Sequence, residues 1–340
     1  MVAQLTAVEK NQEILSLALE DRSSGYQDLV SNSNALLAQL KMMDNWQPYS
    51  GPIIRERLLY NKTGNGVWYN GYDPLAMSPA ELFNDAEYRP KMIAIGIALS
   101  NEEILNNMGS AQLMDVMDAH ITAGENELKD EVDISLQSDG TRFGGKELSG
   151  LKLALPTVTT TGTYGGINRA TNATWRTTTF DINSFNTVIG TQFTSTTIRP
   201  FLSAMVTQRT RGKDGPDILL MSSNHYASYD AATVAIQRIN DENALGKLGF
   251  QTLKWYGAGR QATIVQDGGI GSNMPQDTTY AINSKTMKFR YHPERNFNKI
   301  GKTMMPINQD ASVQYIGFMG ELTMVNPLFN FKIYDSNPAA

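Results

Sequence analysis

The feature that most constrains this chain is one continuous apolar stripe at helical spacing over residues 100–136. Ile104, Met108, Ala111, Leu113, Met114, Met117, Ile121, Leu128 and Val132 recur on a single helix face. The start is marked by Ser100-Asn101-Glu102-Glu103, a capping box with Ser100 as N-cap and Glu103 at the third helical position. The outer face is acidic, carrying Asp115, Asp118, Glu125, Glu127, Asp130, Glu131 and Asp133. About 35 residues at 1.5 Å each span about 50 Å, whereas an ordinary globular helix has about 12 residues. No heptad register supports a coiled coil. Such a helix is a strut on which a sheet packs. Gly109 and Gly124 each cost about 1 kcal/mol against Ala and mark a candidate bend.

The strut is framed by β segments. Met92–Leu99 reads as a buried strand from its β-branched run. Val313–Tyr334 ends the chain as two long β segments, broken at Gly320 or at Asn326-Pro327. These C-terminal strands are expected to pair with the strand before the strut, building one elongated lobe from distant parts. The central segment would then be inserted as a second lobe. It opens loop-rich over 150–179, with a Thr-rich run at 157–163 and Gly165-Gly166. Asp181 N-caps a helix with Ile182, Phe185, Val188, Ile189 and Phe193 inward. Asp217–Met221 is a short buried strand, and Ser222-Ser223-Asn224 caps a helix over 225–239. Short strands follow at 253–256, 262–265 and 279–282, with a loop at 268–275. The class is α+β.

Ahead of the strut, two short amphipathic stretches carry Ile14, Leu15, Ala18 and Leu19, then Leu29, Leu36, Leu37 and Leu40. Too small for a domain, they form an arm on the main body or on a neighbour. Ile53–Tyr60 and Val67–Tyr72 flank the turn Asn61–Gly66 and read as a β-hairpin. A two-stranded ribbon is marginal alone in water. One carrying Trp68, Tyr69 and Tyr72 needs a surface to lie against, on its own chain or on another subunit.

Several function classes are excluded by residue type. There is no cysteine among the 340 residues, so disulfides, thiolate catalysis and thiolate metal sites are out. His120, His225 and His292 are far apart and match no metal-ligand spacing, and neither do Asp181, Asp217 and Asp241. Gly268-Gly269-Ile270-Gly271 lacks the G-x-G-x-x-G spacing and a following helix. No nucleophile is tied to His225 and Asp230, so a hydrolase built on the central lobe has no machinery. No catalytic, cofactor-binding or metal residues are expected. No run approaches the ~20 apolar residues of a membrane span. The first residues lack a basic start followed by an apolar core, so a cytoplasm-like compartment is expected.

Charge is uneven. Residues 1–138 hold nine Lys and Arg against twenty Asp and Glu, a charge of −11, while residues 139–340 carry +6. That polarity suits packing of one subunit's acidic part on another's basic part, although an acidic solvated helix face accounts for it equally. Lys285, Lys288, Arg290, Arg295, Lys299 and Lys302 form a basic run with only Glu294 against them. Phosphate contact and pairing with a neighbour's acidic half are both open to it.

Two local segments carry a family resemblance. One is Trp68-Tyr69-Asn70-Gly71-Tyr72-Asp73. The other is Gly162-Thr163-Tyr164-Gly165-Gly166-Ile167-Asn168-Arg169-Ala170-Thr171-Asn172 with Trp175-Arg176. With the order arm, hairpin, strand, strut, α/β lobe and returning strands, the whole chain resembles the tailed-bacteriophage major capsid proteins. Encapsulins and herpesvirus capsid floors share that fold. The resemblance implies an N-terminal arm (1–47), an extended loop hairpin (48–75), and a peripheral domain (76–149) with its spine helix (100–137). An axial domain (150–280) and C-terminal strands (281–340) returning to the peripheral domain complete it.

The function implied is a major head protein that self-assembles, without catalysis, into the icosahedral shell around a phage double-stranded DNA genome. The alternative is an encapsulin-like compartment. The implied partners are copies of itself as hexamers and pentamers, a portal protein, packaged double-stranded DNA held without sequence preference, and a decoration protein in some systems. No membrane is involved. The location is the virion, assembled in the host cytoplasm. The stretch before the hairpin is only about 47 residues, shorter than the scaffolding region of some relatives, so a separate scaffold protein, or none, is expected.

On the extended loop, Arg55, Glu56, Arg57, Lys62, Trp68, Tyr69 and Tyr72 are the expected inter-subunit contacts. A solvated strand face is the alternative for the charges, and packing within the subunit for the aromatics. Some relatives crosslink a loop Lys to a neighbour's Asn, but no second motif supports that for Lys62. Arg169, Trp175 and Arg176 are expected as connector contacts, with a structural turn or a phosphate or base site as the other readings.

Overall fold

The structure, a computed structural model, describes residues 35–59, 65–73, 83–102, 110–233, 252–257, 259–268, 274–305 and 310–338. The first arm stretch, Lys62, Glu103, Gly109, the end of the 225–239 helix and Asp241 lie outside them.

The described chain begins with α1 (Ala35–Met42), β1 (Trp46–Pro48), β2 (Ile54–Leu59), β3 (Phe83–Tyr88) and β4 (Lys91–Ser100). Next come the strut α2 (Ser110–Gln137), a one-turn α3 (Leu151–Ala154), and the small hairpin β5 (Thr163–Tyr164) and β6 (Ile167–Asn168). The second lobe holds β7 (Thr178–Asp181), α4 (Ile182–Phe185), α5 (Ile198–Gln208), β8 (Ile218–Met221) and α6 (Ser223–Thr233). It continues with β9 (Thr252–Gly257), β10 (Arg260–Gln266) and β11 (Thr278–Ile282). The chain closes with β12 (Met287–Tyr291), β13 (Asn298–Met304), β14 (Ala311–Met324) and β15 (Phe331–Tyr334).

Two sheets organise these elements. In the first the order is β1-β12-β14-β13, and β4 also pairs with β14. The β4–β14 pairing is antiparallel from Lys91↔Gly320 to Ser100↔Ala311, so the end of the chain meets the strand before the strut. β4 alternates instead of being buried on both faces. Ile95, Ile97 and Leu99 point inward, while Met92, Ala94, Gly96 and Ala98 are exposed. The inward face meets Ile121, Leu128, Val132 and Leu136 of the strut, all buried in the same core. Gly124 lies close against β4, since a Cβ there would lie 3.1 Å from Ile97 Cγ1. The strut runs through Gly124 as one helix. The Ser100 hydroxyl accepts the Glu102 N–H at 3.2 Å, one residue before the position of the expected capping box, and the stretch from there to Ser110 lies outside the described residues.

The described part of the arm's second stretch, Ala35–Met42, is built into this lobe, and Leu29 lies outside the described residues. Leu36, Leu37 and Leu40 are fully buried, and β1 runs parallel to β12 in register Trp46↔Phe289. Trp46 stacks on Phe289 at 4.7 Å, and Phe318 stacks on both Phe289 and Phe297.

In the second sheet the order is β7-β15-β11-β8-β10-β9. All four residues of β8 are buried, with α5 and α6 supplying Phe201, Leu202, Met205, Tyr226 and Tyr229 to the core. Two expectations are corrected here. The helix capped by Asp181 lasts one turn, because Asn186 is extended (φ −157°) and Val188 is 94% exposed. The real helix of this region is α5. Finally, β15 lies between β7 and β11, so residues 281–340 divide between the two sheets and do not all return to the first. Gly320 sits inside β14 without a break, and the interruption falls at Val325–Asn330, around Asn326-Pro327.

Candidate assembly surface

β2 packs on the first lobe through Ile54 and Leu58, and its partner is not Val67–Tyr72. It pairs antiparallel with β3, from Ile54↔Tyr88 to Leu59↔Phe83. Phe83–Tyr88 reads FNDAEY and looks like a connector because its outward positions Asn84, Asp85 and Glu87 are all polar. Residues 65–73 contain no strand. Asn70-Gly71-Tyr72-Asp73 closes on itself: the Asp73 N–H donates to the Asn70 carbonyl (2.8 Å) and the Asn70 N–H to Asp73 Oδ2 (2.9 Å).

The ribbon's alternation sorts the expected charged contacts. Arg55 and Arg57 face solvent, whereas Glu56 faces inward. Arg55 pairs within the subunit to Glu87 at 3.1 Å, and Arg57 stands opposite Asp85. The Arg55 pair is well exposed, and such a pair is worth about 0–1 kcal/mol. Glu56 is not an outer contact. It is buried against Arg290, whose Nε and Nη2 both donate to Oε1 at 2.7 Å. Arg290 Nη1 also donates to Gln47 Oε1 (2.8 Å), and Thr323 Oγ1 lies 3.3 Å from Glu56. One carboxylate thus fastens the ribbon to β1, β12 and β14. Alternation places Glu56 on the face of Ile54 and Leu58, which is the signal that could have found it.

The second motif folds into a clasp beside the ribbon. β5 and β6 are joined by Gly165 and Gly166, both at positive φ (59° and 73°), the two-residue turn that Gly-Gly favours. The Gly165 carbonyl accepts the Glu87 N–H of β3 at 2.9 Å. A Cβ on Gly165 would stand 2.9 Å from the Tyr88 ring. Tyr88 and Tyr164 meet edge to face at 5.2 Å and donate to the Met324 and Leu322 carbonyls of β14 (2.8 and 2.9 Å).

Arg169 and Trp175 are interior, 1% and 2% exposed, which corrects their expected role as contact residues. Arg169 Nη2 donates to the Leu153 and Ala154 carbonyls at 2.9 Å each, satisfying the end of α3. Its guanidinium lies over the Tyr164 ring at 5.6 Å. Trp175 Nε1 donates to the Tyr164 carbonyl (2.9 Å), so neither is placed to stack on a base. Arg176 is half-buried and donates to the Arg169 and Ala170 carbonyls (2.7 and 2.8 Å). The motif is a positioning device that sets β3 against β14.

Beneath the clasp lies Glu321, which the sequence reading passed over. It is 1% exposed and accepts N–H bonds from Ser149 (2.8 Å) and Leu322 (3.2 Å). Burial pushes its carboxyl up to about 8, against the N–H bonds and Lys91, which pull it down. In the second lobe, burial lowers His225 to about 3, and its Nδ1 contacts Thr279 Oγ1 at 2.8 Å. Among the described residues no group of three His, Cys, Asp or Glu could hold a metal ion, and no helix is long and apolar enough to cross a membrane.

Among the described residues, little covers the aromatic segment between β2 and β3. Trp68 and Tyr72 are fully exposed, Tyr69 is 64% exposed and Val67 50%. Isolated exposed apolar residues are ordinary, but four within six positions form a patch of the kind that marks interaction sites.

An α+β chain with a strut helix on a sheet, a second sheet lobe, a two-stranded ribbon and a clasp beside it has the tailed-phage capsid fold. Solved structures agree. The chain is similar to a subunit of the cyanophage A-1(L) capsid (TM-score 0.55, 13% identity, 87% of this chain and 92% of that chain). It is similar to the capsid of a native GTA particle (TM-score 0.53, 8% identity, 87% and 90%). It is also similar to Gordonia phage Cozz (TM-score 0.51, 14% identity, 90% and 87%). No family model matches the chain, and no curated protein matches it in sequence.

Proposed function

We propose that this chain is a major capsid protein that self-assembles into the icosahedral head of a tailed phage and encloses its double-stranded DNA. The role is structural, with no catalytic step. The observation that carries the reading is the ribbon tip. Trp68, Tyr69 and Tyr72 stand in solvent as a cluster of aromatic rings within five positions. A second copy of the chain is the surface that this fold supplies in repeated arrays. Aromatic anchors dominate interface energetics once desolvated. Arg55 and Arg57 on β2 serve as rim contacts, as does Lys62 outside the described residues, and there charges set register and approach more than affinity. Arg176 lies at the outer edge of the clasp.

Copies arranged as pentamers and hexamers close the shell, with a portal protein, a separate scaffold and, in some systems, a decoration protein as further partners. The subunit is assembled in the host cytoplasm and ends in the virion. Electron microscopy and sedimentation of the purified protein test this: shells or capsomers are expected. A folded monomer at all concentrations, with the tip docked on its own body, overturns the reading. Co-purifying DNA separates the phage head from an encapsulin-like compartment, which would enclose protein.

A further inference from the structure

Two chain reversals meet where β8 and β10 begin. One is the turn closed by the β-bridge between Arg211 and Asp214, with Gly212 at φ 59°. The other is the β9–β10 turn, with Gly259 at φ 70°. Arg260 ties them together. Its guanidinium donates to the Lys213 carbonyl and lies so close to Gly215 that a Cβ there would collide with Nη1. Between the turns opens a cavity of about 320 Å³, whose polar lining is Lys213, Asp217, Arg260, Gln261, Asn283 and Lys285.

The hydrogen-bond inventory gives this cavity a sign. Asp217 is occupied, receiving the Ser284 N–H (2.7 Å) and the Ser284 hydroxyl. The Asn283 amide donates to the Gly215 carbonyl at 2.7 Å. Lys285 has Asp214 at 3.8 Å, a loose pair with both side chains more than half exposed. What faces the opening is an excess of donors: two ammonium groups, a guanidinium fixed by its bond to Lys213, and the exposed Gln261 amide. Three cations, Lys213, Arg260 and Lys285, outnumber the carboxylates of Asp217 and Asp214, so the opening favours an anion over a cationic or apolar ligand. A tetrahedral oxyanion with several acceptor oxygens suits it, because charge-assisted bonds to Arg and Lys are the strong ones.

We propose that this cavity binds a phosphate group, either free phosphate or the phosphodiester of a nucleic acid. Lys213 and Lys285 supply charge, and Arg260 presents a pre-set guanidinium edge. The site does not depend on the shell reading, since a chain that formed no shell would still bind.

The test uses the full chain in unassembled form, with a labelled DNA duplex followed by anisotropy and inorganic phosphate followed by calorimetry. Lys213→Gln with Lys285→Gln is expected to weaken binding about tenfold or more at low salt. For DNA it should also make the salt slope shallower by about 2, one step per lost phosphate contact. Arg89→Gln with Lys146→Gln removes the same charge from exposed positions outside the cavity and outside the basic run, and is expected to change neither. Binding of both probes assigns a phosphodiester. Binding of phosphate alone, lost in the first variant, assigns the free ion. No binding by the parent, or equal loss in both double variants, overturns the proposal.

Discussion

Arg290 stands directly opposite Glu321 in the β12–β14 pairing, yet its guanidinium turns to Glu56, 2.7 Å away on the ribbon. Two buried carboxylates therefore share one neighbourhood with one committed guanidinium. Glu56 has that cation at hydrogen-bond distance, whereas Glu321 is held by the Ser149 and Leu322 N–H groups, with Lys91 acting on it from further off.

Glu321 makes stability fall as pH rises. Its folded value, about 8, is above its ordinary 4.5, so the folded chain holds a proton that the unfolded chain gives up. Between those values the unfolded state binds fewer protons, and stability drops by up to about 1.4 kcal/mol per pH unit. Glu321→Gln keeps an acceptor for Ser149 and Leu322 but cannot ionise. The variant and parent are expected to unfold alike near pH 4.5, with the variant increasingly the more stable towards pH 8. Unfolding midpoints across that range check this, and a gap constant with pH would show that ionisation is not the cause.

The Glu56–Arg290 pair predicts a non-additive result. Glu56→Ala leaves a guanidinium buried without its carboxylate and is expected to cost about 3–5 kcal/mol. Glu56→Leu with Arg290→Met replaces both charges by apolar groups and is expected to cost far less than the two single changes summed. Denaturant unfolding of the cycle measures the coupling. Additive costs would mean that the pair does not hold the ribbon.

The clasp glycines separate two kinds of cost. Gly166→Ala meets its nearest atom at 3.7 Å, so only the positive φ opposes it, at about 1–2 kcal/mol. Gly165→Ala adds a clash with the Tyr88 ring and is expected to lose a further 1–3 kcal/mol or so. Equal destabilisation of the two variants, read by thermal unfolding, would argue against close packing of the clasp on β3.

Much of this frame was legible in the residues because the pattern and the packing coincide. The strut, β4, β8, β10 and β11 are apolar at the period of their own secondary structure. β3 was not, because four of its six residues, Asn84, Asp85, Glu87 and Tyr88, carry polar groups, and only pairing with β2 makes it a strand. α5 was missed because Arg199 and Pro200 stand in its first turn beside a Thr-rich stretch, although Pro is tolerated there. Arg169 and Glu321 are charged residues whose buried partners are backbone groups from α3, Ser149 and β14, and no spacing in one sequence encodes such partners.

The ribbon tip separates folding from assembly. Trp68 and Tyr72 touch so little of their own chain that Trp68→Ala and Tyr72→Ala are each expected to change subunit stability by no more than about 0.5 kcal/mol. In an interface, buried aromatics of this size cost about 2 kcal/mol or more when truncated. A shell repeats that loss at every copy, so the concentration needed for assembly is expected to rise at least about tenfold for each change, with the subunit still folded. Tyr69→Ala should fall between, since part of that ring already packs at home. Light scattering against protein concentration, beside circular dichroism of the same samples, reads both quantities. Variants that assemble at the parent's threshold would remove the tip from the interface, and variants that unfold would place the rings inside the subunit.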